Sequence, residues 1–178
     1  GDSHFKIHTV SPGENLKKIG KKYNCTSSLI QQINNIENPR TLQVGDRLKI
    51  VVGEASAVVD KSEFTLTLYL DSLFIKQYAV GLGKLNKTPV GEFKVESKDI
   101  NPNWFYKGEK IPYTGDPEGR NLLGTRWIGL SIRGYGIHGT WKPETIGKNL
   151  SNGCVRMHNK NVEELYKFLQ PGDKVVIK

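Results

Sequence analysis

His138 and Cys154 are the residues with the most chemistry to offer, sixteen positions apart within Gly136–Asn159, GIHGTWKPETIGKNLSNGCVRMHN. A thiol becomes a strong nucleophile when a neighbouring base or cation favours its thiolate. The histidine lies in Ile137-His138-Gly139-Thr140, and the cysteine closes the turn-like Ser151-Asn152-Gly153-Cys154. Gly153 lets the chain bend sharply and aim backbone N–H groups at a developing oxyanion. Arg156, two residues further on, adds positive potential. A thiol, an imidazole and a glycine-opened backbone are the parts of an acyl-transfer site. The competing reading is an inert, buried thiol, and a turn sequence in place of a core run speaks against it.

The elements that must position these groups fall into two segments. In the first, Phe5–Val10 alternates as a half-buried strand does. Ser11-Pro12-Gly13 turns the chain, and Glu14–Tyr23 places Leu16, Ile19 and Tyr23 at helical spacing. Ser27 or Ser28 is expected to cap a second helix carrying Leu29, Ile30 and Ile33. Pro39 and Gly45-Asp46 then lead into a strand over Arg47–Val51. Gly53-Glu54-Ala55-Ser56 is a short join rather than a long flexible linker.

The second segment is rich in strands. Phe64, Leu66, Leu68 and Leu70 alternate with Thr65, Thr67 and Tyr69, and Asp71-Ser72 reads as a hairpin turn into Leu73–Val80. Trp127–Ile132 and Gly136–His138 read as strands ending at the chemistry. Asn159 or Asn161 is expected to cap a helix through Leu165 and Leu169, before a last strand at Lys174–Ile177. The overall class is α+β: a small βααβ domain at residues 5–52, then a mainly β, sandwich- or barrel-like domain at residues 57–178.

Composition excludes several classes. The 178 residues are 37% hydrophobic and 25% charged, which suits folded domains rather than disorder. No apolar run approaches the roughly 20 residues of a membrane span, and no apolar leader opens the chain. The net charge of +8 suits a polyanionic environment. No basic run with interleaved aromatics marks a nucleic-acid surface, so no nucleic-acid partner is expected. Cys25 and Cys154 lie in different segments, and a disulfide between them is not expected; Cys25 is read as structural. Without CxxC pairs or clustered histidines, no metal site and no cofactor are expected, and His4 and His8 have no metal partner.

The first segment resembles a LysM module through Thr9-Val10-Ser11-Pro12-Gly13-Glu14-Asn15-Leu16, Ile19, Tyr23, Leu29, Asn34 and Leu42–Ile50. Gly-Glu-Asn-Leu stands where the family usually carries Gly-Asp-Thr-Leu. The resemblance implies binding of N-acetylglucosamine-containing glycans such as peptidoglycan. Pro12, Gly13 and Glu14, with Asn35, Ile36 and Glu37, would line the sugar groove. The alternative is a βααβ domain kept as a spacer.

The second segment resembles the YkuD-type L,D-transpeptidase catalytic domain. The likeness is carried by His138-Gly139-Thr140, Ser151-Asn152-Gly153-Cys154-Val155-Arg156-Met157 and Thr88-Pro89-Val90-Gly91-Glu92-Phe93. It implies that Cys154 attacks a peptidoglycan tetrapeptide stem, that His138 is its base, that the Gly139 carbonyl orients the imidazole, and that the N–H groups of Gly153 and Cys154 form the oxyanion hole. D-alanine would leave, and an amine of a second stem would complete a cross-link. With water as acceptor the enzyme would be an L,D-carboxypeptidase, and a degenerate site would leave a non-catalytic peptidoglycan-binding protein. Ser151 would brace the loop, Asn152 and Trp141 would border the substrate, and Arg156 would hold a stem carboxylate or tie the loop to the sheet. Trp104, Phe105, Tyr106 and Tyr113 are read as a lid or as core. The implied location is the bacterial cell wall, periplasm or surface after export. The oligomeric state is left open.

Overall fold

The computed structural model describes residues 4–178, which fall into two compact units divided between Glu54 and Ala55.

The first unit runs β1 (Phe5–Thr9), α1 (Leu16–Tyr23), α2 (Ser27–Ile33) and β2 (Arg47–Val51). The two strands pair antiparallel, from Phe5 opposite Val51 to Thr9 opposite Arg47. Asn15 caps α1 by accepting from the Lys18 N–H, and Asn24 ends it in the left-handed region. Thr26, not Ser27 or Ser28, caps α2 through its hydroxyl. The earlier residue wins because it is the one with extended backbone ahead of the first turn. The Asn34 side chain binds Ile30 O, Lys49 O and Lys49 N–H, each at 2.8 Å, and so clamps the end of α2 onto β2. Ile19, Ile30 and Ile50 are fully buried at the centre.

The second unit carries β3 (Ala55–Asp60), β4 (Thr65–Leu70), β5 (Leu73–Ala79), β6 (Leu82–Gly83), β7 (Gly91–Ile100), β8 (Trp104–Tyr106), β9 (Glu109–Ile111), β10 (Arg126–Leu130), β11 (Gly136–His138), β12 (Asn149–Ser151), β13 (Val155–Arg156), α3 (Asn159–Phe168) and β14 (Lys174–Ile177). Eight strands form one mixed, curled sheet in the order β13-β11-β10-β7-β14-β3-β4-β5. The ten-residue β7 makes the bend possible. Its first residues, Gly91–Lys94, pair with β14, and Val95–Ile100 pair with β10, so one strand serves both wings. The core behind them includes Leu66, Leu68, Val80, Ile128, Ile137, Met157, Val162, Leu165 and Leu169. Short pairs outside the sheet, β12 with β6 and β8 with β9, stand beside the chemistry.

The hairpin at Asp71-Ser72 forms as the alternation predicts, with Asp71 in the left-handed region. Phe64 departs from that pattern: it lies ahead of β4 with φ 53° and only partly packs on the core. Among the described residues no helix is long and apolar enough to cross a membrane.

Candidate active site

β11 pairs parallel to β13, with Ile137 opposite Val155 and His138 opposite Arg156. Cys154 stands one residue ahead of β13 and therefore flanks Gly136. Period-two alternation puts the thiol and the imidazole on one face as diagonal neighbours, roughly 7–8 Å apart along the backbone and within reach of side chains. Both line a cavity of about 720 Å³.

The imidazole is fixed from three sides. Its Nδ1 lies 2.6 Å from the Gly139 carbonyl, which can only accept, so Nδ1 carries the proton and Nε2 keeps the free lone pair. Trp127, the register partner of His138 on β10, stacks on it with centroids 6.0 Å apart at 23°. Arg156 flanks it on β13. The indole reaches this position because residue 136 is glycine: a Cβ there would lie 2.6 Å from the Trp127 ring. Burial pushes the imidazole pKa down to about 4; the Gly139 and Leu123 carbonyls oppose that shift and the Arg156 charge adds to it.

Cys154 is half-buried, and its sulfur faces the Gly134 carbonyl at 3.6 Å. Burial raises its pKa, against the Gly136 N–H and the Arg156 charge, which lower it. Both shifts favour a neutral thiol beside a neutral imidazole over a resting ion pair. Iodoacetamide should accordingly alkylate Cys154 more slowly at pH 7 than it does a free cysteine, with the rate still rising above pH 9. A rate plateau below pH 7 would show a preformed thiolate.

The loop before Cys154 is braced from within. Ser151 Oγ donates to the Cys154 carbonyl at 2.8 Å and accepts the Gly153 N–H at 3.1 Å. The Gly153 donor, expected in the oxyanion hole together with the Cys154 N–H, is therefore engaged at rest. Gly153 has φ 136°, and a Cβ there would lie 2.5 Å from the Tyr135 ring and 3.2 Å from Lys87 O. Gly153→Ala should slow acylation of the thiol by about 100-fold through misplacement of the loop. Single-turnover kinetics would measure it, and an unchanged rate would show that the loop tolerates a side chain.

Arg156 faces backbone carbonyls of the surrounding segments. It is buried, and one guanidinium nitrogen contacts the carbonyls of Leu82, Thr145 and Lys148 at 3.2–3.3 Å. Its Nε is buried without a hydrogen-bond partner. The guanidinium lies against Gly81, where a Cβ would come within 2.8 Å of it.

Trp141, Asn152 and Ser151 border the cavity, as do Trp104, Phe105 and Tyr106 from the β8–β9 hairpin. Trp104 and Tyr106 stack at 4.6 Å, and Phe105 is 73% exposed, so the hairpin is a wall of the cleft rather than core. Tyr113 leans on Trp141 with centroids 6.3 Å apart.

Three supports escaped the sequence reading. Thr88, present only as part of a motif, is buried, and its hydroxyl accepts the Gly83 N–H at 2.8 Å. Gly83 in turn packs on Gly153, where a Cβ at residue 83 would lie 2.7 Å from the Gly153 Cα. Trp127 was read only as a strand residue. Asn159, expected to cap α3, does not: His158 holds the cap position without a side-chain bond, and Asn159 Oδ1 accepts the Thr125 N–H at 3.1 Å.

In the first unit, Pro12, Gly13 and Asn35 are exposed and Ile36 is half-buried. Glu14 is not a free groove carboxylate. It accepts from His8 Nε2 at 2.7 Å and from the Ser11 N–H at 2.9 Å, bonds that hold its pKa below the usual carboxylate value. His8 Nδ1 in turn meets the Tyr23 hydroxyl at 3.0 Å. Cys25 is free and buried, and burial raises its pKa to about 11.

A family profile for the L,D-transpeptidase catalytic domain matches residues 54–177, and one for the LysM domain matches residues 8–51. The chain is 40% identical over 131 residues to a putative L,D-transpeptidase, YqjB, of Bacillus subtilis, covering 70% of this chain and 72% of that one. It is 33% identical over 179 residues to a putative L,D-transpeptidase, YkuD, of Bacillus licheniformis, covering 96% and 98%. In fold it is similar to an L,D-transpeptidase from Mycobacterium smegmatis, with TM-score 0.60 and 24% identity over 76% of this chain and 64% of that one. It is also similar to L,D-transpeptidase 3 from Mycobacterium tuberculosis, solved with a faropenem-derived adduct, with TM-score 0.59 and 17% identity over 98% and 91%. The cavity with its cysteine and tautomer-fixed histidine lies within residues 54–177, the stretch that the catalytic-domain profile matches, and the chain belongs to the L,D-transpeptidase family, with a LysM domain ahead of its catalytic domain.

Proposed function

We propose that this L,D-transpeptidase works through Cys154 and His138 on the tetrapeptide stems of peptidoglycan, while residues 5–52 hold it to the glycan strands. The single observation carrying this reading is the shared cavity in which a half-buried thiol and an imidazole with a free Nε2 lie on neighbouring strands. His138 Nε2 takes the thiol proton as sulfur attacks the carbonyl of the third, L-centred stem residue. The amide C–N bond breaks, the imidazolium gives its proton to the departing nitrogen, and D-alanine leaves behind a thioester. An amine of a second stem then forms a new C–N bond, the C–S bond breaks, and the displaced proton returns to sulfur through the imidazole. The product is a cross-link between third residues. The oxyanion would take the Cys154 N–H, with the Gly153 N–H joining as Ser151 Oγ releases it.

Water as acceptor would give an L,D-carboxypeptidase by the same thioester. Purified disaccharide-tetrapeptide separates the outcomes by mass: cross-linked dimer for the transferase, trimmed monomer for the hydrolase, unchanged substrate against both.

A LysM domain in the same chain as the catalyst raises the local concentration of stems without any new catalytic contact, and the wall is the location this implies. Removing residues 1–52 should cut retention on insoluble peptidoglycan at least 10-fold while D-alanine release from soluble stems stays within a few-fold. Equal retention of both proteins would make the first domain a spacer.

A further inference from the structure

Asn159 has no place in the chemistry described above, yet three backbones converge on its carboxamide. Its Oδ1 accepts the Thr125 N–H at 3.1 Å. A Cβ on Gly124, which has φ 63°, or on Gly139 would overlap that same oxygen. The Gly124 position also presses on Gly139 itself, with a Cβ there 2.5 Å from the Gly139 carbonyl carbon. On its other side Gly139 donates its N–H to Arg126 O at 3.2 Å. The peptide whose carbonyl holds His138 Nδ1 is thus seated between the 124–126 strand entry and one side chain from α3. One helical turn on, Glu163 accepts the Thr125 hydroxyl at 2.6 Å, tying α3 to the same residue independently of the carboxamide.

We infer that Asn159 is a positioning residue for the base: by filling the space vacated by two glycines and holding Thr125, it fixes the Gly139 carbonyl and thereby the Nδ1–H tautomer of His138. This rests on His138 being the base for Cys154. A carbonyl free to rotate no longer selects one tautomer, and a proton on Nε2 leaves no lone pair facing the thiol.

The test uses the full chain with ¹⁵N-labelled histidine. Imidazole shifts of His138 at pH 7 report the tautomer without reference to activity, and D-alanine release reports the chemistry. Asn159→Ala should give mixed tautomers and about a 100-fold slower release, the scale of a misplaced catalytic group. Asn159→Asp, which retains the acceptor oxygen, should keep the Nδ1–H form and stay within a few-fold. Asn159→Leu, with the same branching and number of heavy atoms but no acceptor, should repeat the alanine result, and decides the question if the alanine variant does not fold. Glu163→Gln should leave the tautomer unchanged. A wild-type tautomer in both the Ala and Leu variants, or mixed tautomers in Glu163→Gln, would overturn the inference. Release surviving Cys154→Ala would instead remove the mechanistic reading and leave the tautomer result standing.

Discussion

Cys154→Ala stops D-alanine release from a disaccharide-tetrapeptide, by at least about 10⁴-fold, because loss of a nucleophile removes the covalent route altogether. The fold should survive it. The thiol is half-buried, its sulfur makes a long contact to Gly134 O at 3.6 Å, and Cys154 lies outside the core cluster. Melting should therefore change by no more than a surface substitution does, within about 1 kcal/mol. Cys25 is a poor substitute: it is buried, and burial raises its pKa to about 11. Mass spectrometry of the stem before and after incubation checks the result. Release at the wild-type rate would place the nucleophile on another residue.

Acid should weaken the catalytic unit through His138. Its folded pKa of about 4 lies below the unfolded value of 6.5. Between these two values the unfolded chain binds the proton and the folded one does not. Stability from this residue is thus fully present above pH 6.5 and lost as pH falls toward 4, on the order of 3 kcal/mol in all. The physical cause is the closed cage of Trp127, Arg156 and the flanking strands, which strips water from the ring and offers a cation on one side. Urea unfolding at pH 7 and pH 4, compared between the parent and His138→Gln, isolates this contribution from the other titrating groups. The variant should lose about that much less on acidification. Equal acid sensitivity in the two proteins would show that the ring is hydrated in the folded state.

The two predictions draw unequally on sequence and structure. The nucleophile of the first could be named from residues 136–159 alone, since a cysteine after Ser-Asn-Gly and a histidine before glycine point to thiol chemistry by type; the tetrapeptide stem and D-alanine come from the family resemblance. The second could not. His138 titrates low because β10 and β13 bring Trp127 and Arg156 to either side of it, and those partners stand 11 residues before and 18 after it in the chain. Burial of an ionisable group depends on neighbours that no local window contains.

The same division runs through the fold. Alternation at Leu66, Leu68 and Leu70 and the helical spacing of Leu16, Ile19 and Tyr23 were legible because each element must bury one face, and that periodicity is written along the chain. Helix caps were legible only as a choice among neighbours. Thr26 took the place expected of Ser27 or Ser28, and Asn159 was drawn away from α3 by the orphan N–H of Thr125. The wrapping of the sheet about β7 was hidden, since pairing one strand to two wings is decided by register with distant segments.

By itself the sequence determined the candidate reactive groups and the elements that carry them, because residue type and periodicity are local properties. Only the tertiary structure decided that Arg156 is spent on three carbonyls, and that glycines 83, 124, 136, 139 and 153 are the places where neighbouring backbones, rings and a carboxamide press close. Those facts belong to hydrogen bonds and excluded volume between segments far apart in sequence, which form only once the chain has closed on itself.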